Sequence, residues 1–272
     1  MQIVFNGEFI EHDQAKIGIF EPAVLYGLGC FSTLRLHVGK PRFFDEHWKR
    51  FSQNAAEIGL TLKLDPEQIR AQIIELADKN EVTEGSIRFS CHERHEGVDF
   101  TIFVTQPRRV DPPATYRVTL SDCPHPGASP LSGVKHNNYA LFRAAHLQAR
   151  AAEWDECLLV NALGEVVEGG ISNFFWVDED QCLFTPPLSS GALPGVIRGK
   201  VLELFPAIRE LAPQAEQLKQ ASEIFITNSS FEIKPVHELN GRPLAAPGEI
   251  TAKVINAFQE AFPDCRPPFI FQ

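Results

Sequence analysis

The run Gln106-Pro107-Arg108-Arg109-Val110-Asp111-Pro112-Pro113 constrains this chain more than any other stretch. Proline fixes φ and offers no backbone N–H, so it blocks helix interiors and central strands alike, while the neighbouring charges favour water. Such a segment does not run through a packed core. It divides the 272 residues into two parts, each long enough to bury a core of its own. The expected organisation is a small N-terminal α/β domain over residues 1–107, a linker over 108–115 and a larger C-terminal domain over 116–272.

In the first part, Gln2 to Asn6 and Phe31 to Val38 read as strands, with a turn at Gly39-Lys40-Pro41. Phe44, Trp48, Phe51, Ala55 and Ile58 recur at steps of four and three, which predicts one apolar stripe on a helix entered near Asp45, with Arg50 off the stripe. Asp65-Pro66, a cap followed by proline, predicts a second helix, and Ile87 to Cys91 and Phe100 to Thr105 read as further strands. The second part predicts strands at Tyr116 to Ser121, Cys157 to Asn161 and Phe174 to Val177. It predicts helices at Tyr139 to Glu153 and near Glu249 to Phe262, with a turn at Gly164.

Composition removes several classes of function. A hydrophobic share of 44% argues against disorder, and a formal net charge of -10 argues against a broad nucleic-acid footprint. No apolar run approaches the roughly 20 residues that span a bilayer, and the N-terminus meets Asn6-Gly7-Glu8 before a signal-peptide core could form, so the expected location is the cytoplasm. The six cysteines include no Cys-x-x-Cys pair, as free thiols of a reducing compartment do. Cys91-His92-x-x-His95 lacks a second group of ligands at zinc-site spacing, and no metal site is expected.

Three segments carry the candidate chemistry. Lys135 stands in Gly133-Val134-Lys135-His136-Asn137-Asn138-Tyr139, where strand-like sequence passes into helix-like sequence; taken alone it reads as a solvated cation. Glu168 lies between Val166-Val167 and Gly169-Gly170, so it is expected to be partly buried, and a buried acid wants a cationic partner. Gly191-Ala192-Leu193-Pro194-Gly195-Val196-Ile197-Arg198 reads as a turn feeding a helix, whose first N–H groups suit an anion.

The order and character of these segments resemble the fold-type IV pyridoxal-phosphate enzymes, also called class IV aminotransferases. The resemblance spans Phe5-Asn6-Gly7, Tyr26-Gly27-Leu28-Gly29-Cys30-Phe31, His47-Trp48-Lys49-Arg50-Phe51, the Lys135 segment, Glu168-Gly169 to Asn173, Leu193-Pro194-Gly195, and Thr227-Asn228-Ser229 with Pro235-Val236. It implies an α/β (α+β) two-domain fold like that of D-amino-acid aminotransferase, whose larger C-terminal domain has a β-barrel-like core, and a homodimer. It implies pyridoxal 5'-phosphate as cofactor, Lys135 as the Schiff-base lysine and Glu168 as the partner of the pyridine nitrogen. Arg50, Asn173, Asn228, Ser229 and the backbone N–H groups of Val196 and Ile197 are implied cofactor-binding groups. One departure is visible: an Asp-Arg pair usual before the Tyr-Gly segment is replaced by Phe20-Glu21-Pro22.

Branched-chain aminotransferases, D-amino-acid aminotransferases and 4-amino-4-deoxychorismate lyases share this cofactor site, so the residues at its rim decide the reaction. Where the aminotransferases commonly carry Phe-Glu or Tyr-Glu, this chain reads Phe31-Ser32-Thr33, similar to the hydroxyl-bearing pattern of the lyases. Thr227-Asn228-Ser229, Lys135-His136-Asn137-Asn138 and Asn173-Phe174-Phe175-Trp176 lean the same way. An Arg-x-His pair, used by D-amino-acid enzymes for a carboxylate, finds no match, since Arg94 and His95 are adjacent. The implied reaction is conversion of 4-amino-4-deoxychorismate to 4-aminobenzoate and pyruvate, a step of folate synthesis, with an aminotransferase as the alternative. Ser32 or Thr33 is expected to orient the leaving group or relay a proton, against the plainer expectation that both hydroxyls pair with backbone on a strand. The expected partner is a small-molecule substrate, with no nucleic acid and no membrane.

Overall fold

In the computed structural model, which describes residues 1–106 and 113–263, a first unit holds residues 1–106 together with residues 134–138. Its elements are β1 (Gln2–Phe5), β2 (Glu8–Glu11), α1 (Pro22–Leu25), β3 (Gly29–His37), β4 (Lys40–Pro41), α2 (Phe44–Glu57), α3 (Pro66–Lys79), β5 (Gly85–Glu93) and β6 (Val98–Thr105). The strands form one antiparallel sheet in the order β2-β1-β6-β5-β3-β4. Of the expected linker, residues 108–112 lie outside the described residues.

Period-two alternation on the strands and the 3.6-residue period on the helices meet in one core. Val4, Leu34, Leu36, Ile87, Phe89 and Ile102 pack against Phe44, Phe51 and Ala55 of α2 and Ile69, Ile73 and Leu76 of α3. Phe51 meets Phe89 edge-on at 4.9 Å between ring centroids. The stripe expected on α2 is present, but α2 also buries a second, polar stripe, His47, Arg50 and Asn54. Arg50, expected off the apolar stripe, is therefore buried with polar neighbours. Asp65 caps α3 as expected, its side chain accepting from the Glu67 N–H at 3.2 Å.

Residues 134–138 extend the β3 edge of this sheet. Phe31 N–H donates to the Lys135 carbonyl at 2.9 Å and Asn137 N–H donates to the Gly29 carbonyl at 2.8 Å, with Cys30 and His136 forming an antiparallel bridge. The Lys135 N–H in turn donates to Asn54 Oδ1 at 2.9 Å, so α2 holds the segment from its polar stripe.

The second unit holds residues 113–133 and 139–263. It contains β7 (Tyr116–Leu120), α4 (Ala140–Ala151), β8 (Glu156–Val160), β9 (Val166–Gly169), β10 (Asn173–Val177), β11 (Leu183–Thr185), α5 (Val196–Leu204), β12 (Arg209–Glu210), β13 (Glu223–Asn228), β14 (Glu232–Leu239), β15 (Arg242–Pro243) and α6 (Glu249–Ala261). Eight strands run in the order β12-β11-β10-β13-β14-β7-β8-β9, and β15 joins β14. β9 also packs against β10, so the sheet curls back toward itself in a barrel-like form. Ala145 and Ala149 of α4 cover Cys157 and Leu159 of β8. Among the described residues no helix is long and apolar enough to cross a membrane.

Candidate active site

In the first unit, β3 sorts its side chains by alternation. Ser32 is fully buried on the α2 side, where its hydroxyl lies 2.9 Å from His47 Nδ1 and 3.2 Å from Arg50 Nη2. Arginine can only donate, so the Ser32 oxygen accepts from Arg50. The His47 side chain is completely buried. Burial, followed by the charges of Arg50 and Lys135, holds its pKa well below the usual histidine value. Phe31 and Thr33 take the opposite face of β3. Lys135 Nζ lies 4.7 Å from the Phe31 ring centroid and the Arg88 guanidinium 3.6 Å from it, on the ring of the residue two before Thr33. Arg88 is also the cross-strand neighbour of Thr33. The flanking His136 has its pKa lowered by burial and then by Lys135.

In the second unit, Glu168 lies near the end of β9 with its carboxylate buried and ringed by donors. Leu193 N–H donates to Oε2 at 3.0 Å, Asn173 Nδ2 donates to the same oxygen at 3.4 Å, and His125 Nε2 lies 3.2 Å from Oε1. A carboxylate offers about four acceptor positions, two on each oxygen. The described donors fill both positions on Oε2 and one on Oε1, leaving one on Oε1 for a further donor.

Asn173 ties Glu168 to the turn that leads into α5. Its amide also donates to the Leu193 carbonyl at 2.9 Å, just ahead of the turn into α5. Gly195 caps α5 without a side-chain bond, and a Cβ there would overlap Asn173 Oδ1, so only glycine lets the turn close against Asn173. The first-turn N–H groups of Val196 and Ile197 have no intrahelical acceptor and point out of the helix N-terminus. Asn173 stands opposite Thr227 in the β10–β13 ladder, and the Thr227 hydroxyl on that face is buried with no hydrogen-bond partner among the described residues. Asn228 Nδ2 donates to the Ile171 carbonyl at 3.3 Å, while its Oδ1 accepts from Ser230 and Phe231 N–H and so shapes the turn that carries Ser229.

The structure thus places Thr33, Arg50 and Lys135 in the first unit, with Arg50 at Ser32 on the α2 side of β3 and Lys135 Nζ over Phe31 on the face that Thr33 shares, and it places Glu168, Asn173, Val196, Ile197, Asn228 and Ser229 in the second. It adds residues that the sequence pattern does not single out. His47 and Asn54 sit one turn either side of Arg50, a spacing that an apolar-only reading passes over. Arg88 and His125 are isolated in sequence, and only strand pairing and tertiary packing bring them to Phe31 and Glu168. Glu21, at the sequence departure noted above, accepts from the His95 N–H at 2.8 Å and so anchors the β5–β6 turn.

The pattern of the amino-transferase class IV family matches residues 29–239, more than half of the chain. The chain belongs to the class IV aminotransferase family. A Methanocaldococcus jannaschii protein named as a candidate branched-chain-amino-acid aminotransferase is 29% identical, over 96% of this chain and 96% of its own. D-alanine aminotransferase of Bacillus licheniformis is 27% identical over 96% of this chain and 97% of its own. Among solved structures, a branched-chain amino acid aminotransferase complexed with N-(5'-phosphopyridoxyl)-L-glutamate, its source abbreviated T.th., matches with a TM-score of 0.85 at 24% identity, covering 98% of this chain and 95% of that one. A candidate 4-amino-4-deoxychorismate lyase from Legionella pneumophila matches with a TM-score of 0.83 at 23% identity, covering 92% and 96%. The architecture is that of fold-type IV, and the chain is an enzyme of that family whose cofactor is pyridoxal 5'-phosphate.

The residues present fit that cofactor. The open acceptor position on Glu168 suits a protonated ring nitrogen, and the α5 N-terminus suits a phosphate. The buried Thr227 hydroxyl opposite Asn173, without a hydrogen-bond partner among the described residues, is a polar atom that a ligand could satisfy.

Proposed function

We propose that this enzyme is a 4-amino-4-deoxychorismate lyase, releasing 4-aminobenzoate and pyruvate. The observation that carries the reading is on β3: the Thr33 hydroxyl shares the strand face of Phe31, the ring over which Lys135 lies, and the residues at 32 and 33 include no carboxylate. Ser32 is committed to Arg50 and His47, so of the two hydroxyls Thr33 is the one assigned to substrate.

When bound, pyridoxal phosphate supplies an electron sink for the carbon that bears the substrate amine. Lys135 would hold the cofactor through its Nζ, and its free amine would take the proton from the carbon that bears the substrate amine. The electron pair left by that proton would form the last double bond of the substrate ring, which becomes aromatic; the ether bond to the enolpyruvyl group breaks with its pair on oxygen, and the proton held by Lys135 goes to the enolpyruvate, which ketonises to pyruvate. Thr33 donates a hydrogen bond to the departing enolpyruvate oxygen. Arg88, whose guanidinium covers Phe31, offers positive charge to a substrate carboxylate. Glu168 would accept from the ring nitrogen and keep it protonated, while Arg50, Asn173, Asn228, Ser229 and the N–H groups of Val196 and Ile197 would hold the phosphate end.

A second reading, an aminotransferase acting on branched-chain or D-amino acids, is favoured by the names of the two relatives. Incubating holoenzyme with 4-amino-4-deoxychorismate and no oxo acid separates the two. Repeated turnover with equal amounts of 4-aminobenzoate and pyruvate is the outcome for a lyase. A single conversion to the aminated cofactor, reversed only by a 2-oxo acid, overturns that reading in favour of transamination.

The reading extends to a homodimer working in the cytoplasm. Ile19, Phe20, Val24, Leu25 and Tyr26 form a run of exposed apolar side chains around α1, of the kind that a second copy covers. The five described cysteines are free thiols, as a reducing compartment favours. Sedimentation of active enzyme as a monomer would refute the dimer.

A further inference from the structure

Glu168 does not reach its position through Asn173 and Leu193 alone, since its Oε1 is met by a histidine that lies far from it in sequence. The His125 side chain is 1% exposed, and its Nε2 is 3.2 Å from Glu168 Oε1. Its other nitrogen, Nδ1, receives the Gly127 backbone N–H at 2.9 Å. An imidazole nitrogen that accepts an N–H carries no proton, so the ring is neutral and its single proton is on Nε2, directed at Glu168.

The ring has no freedom to do otherwise. Phe142 packs against it edge-on at 5.7 Å between centroids. The backbone of Gly191 also closes on the ring, where an added Cβ would lie 2.9 Å from His125 Cε1 and 2.5 Å from the Gly127 carbonyl oxygen. Gly191 has φ +104°, so the sequence keeps glycine there on two counts, conformation and space.

We infer that His125 is a positioning residue for Glu168: locked as the neutral Nε2–H form, it holds Oε1 so that the remaining acceptor position on that oxygen faces the cofactor ring nitrogen. The inference rests on the reading of Glu168 as that nitrogen's partner. A neutral donor suits the task, because it orients the carboxylate and leaves its negative charge for the protonated ring. An imidazolium in the same place would compete for that charge. Oε1 is the oxygen where this matters, since Oε2 already has two donors.

Three measurements on the whole protein test it. Nitrogen-15 NMR of the cofactor-free protein at pH 7.5 reports the His125 tautomer directly, and the Nε2–H form is expected; a charged ring or the Nδ1–H form overturns the inference. His125→Leu removes the donor, and His125→Gln puts an amide N–H close to where Nε2 stands. The expected result is pyridoxal phosphate binding weakened about tenfold in the leucine variant, as for a lost hydrogen bond to a charged group. The absorbance band of its lysine-bound cofactor should move as well, and both readouts should return close to the parent values in the glutamine variant. Folded leucine and glutamine variants that behave alike, whether both impaired or both unchanged, overturn it. Glu168→Ala run alongside keeps the two claims apart. If that variant leaves affinity and band unchanged, the reading of Glu168 is wrong, whereas a changed Glu168→Ala beside an unchanged His125→Leu refutes the role of His125 alone.

Discussion

Replacing Glu156 by alanine is expected to destabilise the second unit more than most single substitutions. Its carboxylate is 1% exposed and accepts from four groups: His146 Nδ1 at 3.0 Å, the Cys157 N–H at 2.9 Å, the Ile171 N–H at 3.1 Å and the Ser172 hydroxyl at 2.9 Å. Two of those donors belong to the turn between Glu168 and Asn173, so this buried acid holds the link between two proposed cofactor residues. Alanine leaves four buried donors without their acceptor, and at about 1 kcal/mol each the loss approaches 4 kcal/mol. Water entering the vacated space recovers a part, which leaves about 3 kcal/mol. For a protein of this size that corresponds to a fall in Tm of about 6–12 °C. Glu156→Gln also sets an amide N–H against donors, because each carboxylate oxygen takes two of them, so it should fall between the parent and Glu156→Ala. Thermal unfolding followed by circular dichroism reads all three proteins, and pyridoxal phosphate affinity should weaken in the same order. A Glu156→Ala protein that melts within about 2 °C of the parent would refute the account of the turn.

Further outcomes follow from the same geometry. Glu168→Gln places an amide N–H against the existing donors and removes the charge that the ring nitrogen needs, so kcat should fall on the order of 100-fold with a smaller loss of cofactor affinity; equal losses in both would contradict the assignment. Gly195→Ala forces Asn173 aside, with an expected cost of about 1–3 kcal/mol and weaker cofactor binding; a parent-like affinity counts against the cradle. His47 is neutral in the fold with a lowered pKa, whereas the unfolded chain takes up its proton near pH 6.5, so stability present above that pH is lost on acidification. His47→Asn keeps a hydrogen-bonding side chain for Ser32 without a titrating ring. Its stability should decline less below pH 6.5, by up to about 1.4 kcal/mol per pH unit, and identical acid limbs for the two proteins would be the contrary result.

Local pattern made parts of this molecule legible in the sequence. The Phe44, Trp48, Phe51 and Ala55 stripe marks α2 within a residue of its start, and Asp65-Pro66 marks α3, because caps and apolar periods act over a few residues. The motifs around Lys135, Glu168 and Leu193-Pro194-Gly195 stand out through small residues at fixed places. What stayed hidden depends on contacts between distant segments. Residues 134–138 join the sheet of the first unit through hydrogen bonds from Phe31 and to Gly29, a pairing that no local pattern announces. The buried stripe of His47, Arg50 and Asn54 follows helical spacing, yet polar residues at that spacing ordinarily mark a solvated face. His125 sits among prolines and glycine as an ordinary loop residue, and its role rests on the Gly127 N–H, which only the folded backbone brings to Nδ1. α1, four residues long and with nothing buried, carries too little pattern to be read.

Assignment of the lysine tests the account most directly, because every proposed step turns on it. Lys234 is the instructive rival: it is buried, its pKa is lowered by that burial, and its Nζ donates to the Pro113 carbonyl at 3.0 Å. Reducing the holoenzyme with borohydride, digesting it and locating the phosphopyridoxyl group by mass spectrometry distinguishes the two. The account predicts the adduct on Lys135, with Lys135→Ala carrying none. An adduct on Lys234 or on any other lysine would contradict it.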